Sequence, residues 1–344
     1  MNAPIMMQAA GMPARANIDD TILIVGHGSR EDSGNREIRD FTDAWRARRP
    51  DWRIELCFIE FAAPELNAAL LAAARGSRRV LVVPLILNAA GHVKMEIPEA
   101  VEQARAANPQ AEILLAPHLG ASDPVLAVLR RRLRGAMAEL DMPDPTTTGV
   151  VLLGRGSSDR GANGEMAKMA RWLLEEGDHE LVDLAFTGIT WPRLEKVVQR
   201  QVLLGMRQVV VLPYYLYTGT LMQRIHRQVE HLRGQYPQVR FACTAHFGFE
   251  KEIFALMDER VENLRAGVPD SRLVCDGCTF REIAHDLGHG HSHAHTHDHA
   301  PAQAGDHAHG HPHEHGHSHE QGHSHEHGHS HEPGHDHGHA GVPA

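Results

Sequence analysis

His27, Glu60 and His92 are the residues whose types and settings promise chemistry. His27 stands between two glycines in LIVGHGSR, Glu60 follows CFI, and His92 closes LNAAGH ahead of VKMEIP. Imidazole nitrogens and carboxylate oxygens bind divalent transition metals, and both groups exchange protons in general acid–base work. Two imidazoles and one carboxylate converging on a cleft would leave coordination positions open, the arrangement of a reactive site and not of a closed structural one. A lone histidine in a glycine turn is equally well explained as a turn cap. The second histidine and the carboxylate are what favour a metal.

A second concentration of ligands lies at the C-terminal end. Of the 29 histidines, 22 fall between His285 and His339, in HGHSHAHTHDH and the hexads GHSHEQ, GHSHEH and GHSHEP. Beyond Leu287 the stretch has almost no aliphatic and no aromatic residues, so it cannot bury enough apolar surface to offset the entropy of ordering. It is predicted to be a disordered tail that binds divalent metal. Composition alone equally describes a low-complexity tail that takes metal only because any polyhistidine does. Just ahead of it, Cys275 and Cys278 form a CxxC, a spacing suited to a zinc site, a redox pair or half of an iron–sulfur cluster, although it supplies only two ligands. Cys57 and Cys243 sit in apolar runs and read as buried structural thiols.

The elements that must position these residues come from an internal repeat. TILIVGHGSR at 21–30 recurs as GVVLLGRGSSDR at 149–160, FIEFAAPELNAAL at 58–70 as FTGITWPRLEKVV at 186–198, RRVLVVPLILNAAGHV at 78–93 as RQVVVLPYYLYTGTLM at 207–222, and ILLAPHLG at 113–120 as RFACTAHFG at 240–248. In each copy, β-branched apolar runs alternate with stretches of helical period such as REIRDFTDAWRARR. This predicts an α/β fold of two tandem domains, each a small four-stranded parallel sheet with helices on both faces, and a cleft between them. Ligands of open parallel sheets gather beyond the carboxyl ends of the strands, where His27, Glu60 and His92 are expected.

The second copy departs from this pattern. His27 is matched by Arg155, Glu60 by Gly188, and His92 by Thr220 or Leu221, depending on a one-residue gap. The metal is therefore expected on the first half, with the second closing over the substrate. Arg155 and Arg160, with Arg30 on the facing loop and Lys94 beyond His92, would hold an anionic substrate, though Lys94 and Arg160 also suit a solvated surface. His118 and His246, present in both copies, read as structural.

The boundaries follow: an N-terminal extension (1–20), a first domain with the metal-binding residues (21–140), a linker DMPDPTTT (141–148), a second domain (149–266), a CxxC segment (267–288) and the tail (289–344). Of the formal charge of −10, eight carboxylates without Lys or Arg lie in residues 283–344, leaving −2 on the rest. A body so nearly neutral is unsuited to nonspecific nucleic-acid binding. No apolar run reaches the roughly 18 residues of a membrane span. The first 20 residues lack the basic start and apolar core of a signal peptide, so the cytoplasm is the expected compartment. Neither GxxxxGK[ST] nor GxGxxG with a suitably placed acid is present, so neither ATP nor a dinucleotide is indicated. The duplicated halves can form the cleft within one chain, leaving monomer and homodimer both open.

IVGHGSR, Phe58–Glu60 with Pro64 beyond, VVPLILNAAGHVKMEIP, VVLLGRGSSDRGAN and PYYLYTGTLMQRI together resemble the long, two-domain CbiX type of sirohydrochlorin cobaltochelatase, a class II chelatase, over about residues 21–250. The resemblance implies ATP-independent insertion of Co²⁺ into sirohydrochlorin on the anaerobic route to cobalamin, with Co²⁺ as the substrate metal and an anionic tetrapyrrole as partner. It assigns His27 and His92 as cobalt ligands, His27 as first proton acceptor and Glu60 as its assistant. It also lays Leu87, Asn88, Ala89, Ala90 and Gly91 along the macrocycle edge, and a histidine-rich C-terminal region fits the same likeness. Long members carry MxCxxC and an iron–sulfur cluster, but Leu273 stands at the methionine position here. Cys275 and Cys278 would complete a four-thiolate cluster only with another chain's pair or nonprotein ligands. Alternatives are the same fold acting on Fe²⁺ or Ni²⁺, which such ligands discriminate poorly, and a storage protein or metallochaperone working through its tail. A histidine phosphatase needs arginine immediately before the histidine, where Gly26 stands.

Overall fold

The computed structural model describes residues 20–140, 144–278, 280 and 283. All of them belong to one compact unit. The N-terminal extension before Asp20 and the histidine tail lie outside the described residues.

The first half runs β1 (Asp20–Gly26), α1 (Asp32–Arg48), β2 (Ile54–Phe58), α2 (Leu66–Gly76), β3 (Arg79–Pro84), a π turn (His92–Glu96), α3 (Ile97–Ala107), β4 (Glu112–Leu115) and α4 (Asp123–Ala138). The second repeats it as β5 (Thr148–Gly154), α5 (Arg160–Glu175), β6 (Val182–Phe186), α6 (Leu194–Leu203), β7 (Gln208–Pro213), α7 (Thr220–Gln235), β8 (Arg240–Cys243) and α8 (Lys251–Ala266). Of the segment read as a linker, Pro145–Thr147 form a 3₁₀ turn and Thr148 is already the first residue of β5.

Each half holds a four-stranded parallel sheet, ordered β2-β1-β3-β4 and β6-β5-β7-β8, as the alternating pattern predicts. Every residue of β1 and β5 is buried, as expected of central parallel strands covered on both faces. One face of the first sheet packs on α2 and α3 through Leu66, Leu70, Ile97 and Val101. α6 and α7 cover the matching face of the second through Val197, Val198, Ile225 and Val229.

The other two faces share a single core. Ile22, Phe41 and Leu81 of the first half and Val150, Leu212 and Phe254 of the second belong to one apolar cluster. Within it the last helix of each half crosses over: α8 packs on β3, and α4 on β7 and β8. Trp45 Nε1 of α1 donates to Asp258 Oδ1 of α8 at 2.8 Å, which fastens the exchanged helix. Buried Asp20 accepts from Arg79 in a fork (2.8 and 2.7 Å) and from Arg265 of α8 at 3.0 Å. Among the described residues, no helix is long and apolar enough to cross a membrane.

Candidate metal centre

The strand order places a topological switch between β1, which is followed by a connection to one neighbour, and β3, which is reached by crossing to the other side. Loops diverge there and open a crevice. His27 follows β1 and His92 opens the π turn after β3, so both stand at that crevice. Glu60 follows β2. Its backbone N–H donates to the His27 carbonyl at 3.2 Å, and Ile59 N to that of Gly26 at 3.0 Å, so the two loops lie side by side. Gly28 makes this approach feasible: its φ is +87°, and a Cβ there would lie 1.8 Å from the Glu60 carbonyl oxygen. Ser29 and Asn35 lock the loop further, with Ser29 N donating to Asn35 Oδ1 at 2.8 Å and Asn35 Nδ2 to the Ser29 carbonyl at 2.7 Å.

Ligand atoms of His27, Glu60 and His92 come within 4.8 Å of one another, the only such group of three among the described residues. Glu60 Oε1 lies 3.6 Å from His27 Nδ1 and 3.8 Å from His92 Nε2. The rings meet edge to face, 4.6 Å between centroids. With a quarter to a third of each side chain exposed, the group faces solvent on one side. Metal–ligand bonds of about 2 Å are reachable from these positions by small side-chain rotations, with room left for further ligands.

The two histidines are tuned in opposite directions. Burial holds His27 below the ordinary imidazole value, helped by the nearby charges of His92 and Arg155; the Gly28 carbonyl, 3.0 Å from Nδ1, and Glu60 oppose the shift. His92 is raised, chiefly by Glu96, whose Oε1 lies 2.9 Å from its Nδ1, against the effect of burial. His27 is thus the neutral, lone-pair-bearing partner near neutral pH. His92 is oriented by a carboxylate on Nδ1, which leaves Nε2 on the side of Glu60.

The remaining sequence candidates divide. Asn88, Ala90 and Gly91 are half-buried at the site loop, but Leu87 and Ala89 turn into the core with 7 and 8% exposure, because the loop packs back on the sheet. Arg30 is exposed, its guanidinium stacked over Phe61 at 4.9 Å. Arg155 is exposed and near enough to influence both histidines. Arg160 is exposed, and Lys94 pairs with Asp159 of the second half at 2.5 Å. Leu273 is buried against the first half, its N–H donating to the Leu115 carbonyl at 2.9 Å, and Asp276 pairs with Arg105 in a fork of 2.7 and 2.8 Å. Cys275 and Cys278 on this docked segment are half-buried and form no disulfide. Burial pushes the thiol of Cys57 well up and that of Cys243 to about 11, so neither supplies a thiolate near neutral pH.

His118 and His246 join the halves. His118 Nε2 meets Glu165 Oε1 of α5 at 2.9 Å, and the other oxygen of Glu165 accepts from Ala89 N at 3.2 Å. Reciprocally, Glu37 Oε2 of α1 accepts from Thr218 N at 2.8 Å and lies 3.2 Å from His246 Nε2. The loop leading into His92 is therefore held by a carboxylate from the opposite half. Glu37, Glu96 and Glu165 escape a reading by residue type, because a helical glutamate looks like solvated surface. The retained pairs Asn35/Asn163 and Glu37/Glu165, 128 residues apart, were the available signal.

A duplicated parallel α/β protein with one open imidazole–carboxylate site defines the class. Residues 21–136 and 149–264 each match the CbiX family model, and the chain belongs to that family. It is 34% identical over 266 residues to sirohydrochlorin cobaltochelatase of Priestia megaterium, covering 76% of this chain and 84% of that one. It is 28% identical to sirohydrochlorin ferrochelatase of the same organism, covering 71 and 90%. SirB from Bacillus subtilis with Fe³⁺ superposes with a TM-score of 0.63 at 27% identity, over 74% of this chain and 99% of that one.

Proposed function

We propose that this protein is a sirohydrochlorin chelatase that inserts Co²⁺ without ATP, serving cobalamin biosynthesis. The observation that carries the reading is the convergence of His27, Glu60 and His92 at the switch point, open to solvent, in the half that alone keeps these ligands. Insertion of a divalent metal replaces two pyrrole protons, so the site must hold a cation through displaceable ligands and receive protons as the cation leaves. Two imidazoles and a carboxylate are adequate for the first task. Neutral His27 is the first proton acceptor and Glu60 the second. Arg155 and Arg30 face an anionic macrocycle rim from the two halves.

Metal insertion into sirohydrochlorin, followed by absorbance, tests this reading with Co²⁺, Fe²⁺ and Ni²⁺ in parallel. Turnover is expected for the intact chain, fastest with Co²⁺, and its loss in His27→Ala and in His92→Ala. No turnover with any metal would refute the activity, and faster turnover with Fe²⁺ would reassign the metal while keeping the site.

Glu96 should matter without touching the metal. Glu96→Gln is expected to weaken Co²⁺ binding about 10- to 100-fold, the usual cost of losing the carboxylate behind a metal-ligating imidazole. Because Glu96 raises the His92 value, its loss should also move the acid limb of metal binding to lower pH, since the proton competing for the ring is held less tightly. Titration of Co²⁺ across pH checks both effects.

A further inference from the structure

The first half's site has a counterpart in the second, and its charge is inverted. Parallel register pairs Gly26 with Phe58 and Gly154 with Phe186, and single bridges pair Phe58 with Glu65 and Phe186 with Arg193. The equivalences are thereby fixed: Arg155 stands where the first half has His27, Gly188 where it has Glu60, and Arg193 where it has Glu65. Gly188 frees the space that the Glu60 side chain would take, and Arg193 Nη1 lies 4.0 Å from where a Cβ on Gly188 would be. The Arg193 guanidinium is steered there by stacking over Trp191 at 4.8 Å. Its Nη1 is buried and has no hydrogen-bond partner among the described residues.

The neighbours match in sign. The hydroxyl of Tyr215, bonded to Thr187 Oγ1 at 3.0 Å, lies within the fields of Arg155 and Arg224. Among the described residues, no carboxylate pairs with Arg155, Arg193 or Arg224. A buried guanidinium N–H without an acceptor is costly, and the group that relieves it best is an oxyanion, which accepts a charge-assisted bond. Arg155 also acts electrostatically on His27 and His92, so the cationic edge lies within electrostatic range of the metal-binding edge.

We propose that the strand edge of the second half is an anion half-site in which Arg193, with Arg155, binds one carboxylate of the macrocycle rim while the first half holds the metal. The assignment rests on the chelatase reading and adds Arg193 as a substrate-specificity residue. The two halves thus use one architecture for opposite charges.

The test measures binding of metal-free sirohydrochlorin, of its methyl-esterified form and of Co²⁺ alone to the full chain, Arg193→Ala and Arg193→Lys. Arg193→Ala is expected to weaken binding of the free acid about 10- to 100-fold, leave the ester unchanged and leave Co²⁺ unchanged. Arg193→Lys should recover part of the loss. Unchanged free-acid affinity, or equal losses for acid and ester, would overturn the half-site. Failure of the intact chain to bind either macrocycle would instead overturn the chelatase reading and, with it, the half-site. An unchanged far-ultraviolet circular dichroism spectrum and Tm in the variants shows that the fold has survived substitution.

Discussion

Deleting Met95 is expected to disable metal binding at His27, Glu60 and His92 while leaving the protein folded. The offset between the halves is 129 residues at β3 and β7 (Arg79 and Gln208) and 128 at β4 and β8 (Glu112 and Arg240), so the first half has one more residue between these strands. The π turn absorbs it. Buried Val93, at the start of the turn, corresponds to Met222 with the first offset, and buried Ile97, just after the turn, to Ile225 with the second, with Ile97 N–H reaching back to the His92 carbonyl in an i to i+5 bond. Single-residue π insertions often mark functional sites, and this one begins at His92. It also settles the partner of His92 as Leu221. Since each residue of an α-helix turns about 100°, removing one re-aims His92 by that order. α7 shows that the fold accepts a regular turn here. Far-ultraviolet circular dichroism should be unchanged and the Tm lowered by a few degrees, whereas the Kd for Co²⁺ should rise at least about 100-fold, on the order of 3 kcal/mol. Retained affinity in a folded deletion variant would show that the π turn does not build the site.

Asp20→Ala is expected to have the largest effect on stability. The carboxyl is only 3% exposed and answers two guanidiniums, Arg79 of β3 and Arg265 of α8, which are themselves 23 and 19% exposed. Removing one member of a buried ionic group leaves the others uncompensated and costs about 3–5 kcal/mol, on the order of 10 °C in Tm for a chain of this size. Burial alone would raise the Asp20 carboxyl, but the hydrogen bonds and charges of Arg79 and Arg265 outweigh it and hold the group below its ordinary value of 3.8. A depressed folded value means that the contribution is complete above the unfolded value and lost as the pH falls through the folded one. The Tm gap between the wild type and Asp20→Asn should therefore be flat near neutrality and close only in strong acid. Thermal unfolding at several pH values measures it, and a gap that widened toward acid would contradict the assignment.

The central strands and the grouping of His27, Glu60 and His92 were legible because the repeat carries its own control. Strand runs and glycine turns recur in both copies, while His27, Glu60 and His92 stand out as what only one copy keeps. Other features depend on partners distant in sequence. The spacing of Leu126, Leu129 and Leu133 reveals an apolar face on α4, but nothing local says that this face belongs to the sheet of the other half. The gap that left Thr220 and Leu221 both open could not be placed without the buried pairs Val93/Met222 and Ile97/Ile225. The roles of Glu165 and Arg193 depend on a loop amide and a vacant Cβ position in the folded chain.

The exchange of α4 and α8 has an evolutionary consequence. Two identical copies assembled about a twofold axis would place a histidine opposite every histidine, because in such an isologous pair each substitution appears twice. Here the copies are covalently joined and each completes the other's core, so neither can drift away, yet each mutates alone. Symmetry can then be broken without loss of cohesion, and Arg155 of one half is able to act on His27 and His92 of the other at positions that were once alike.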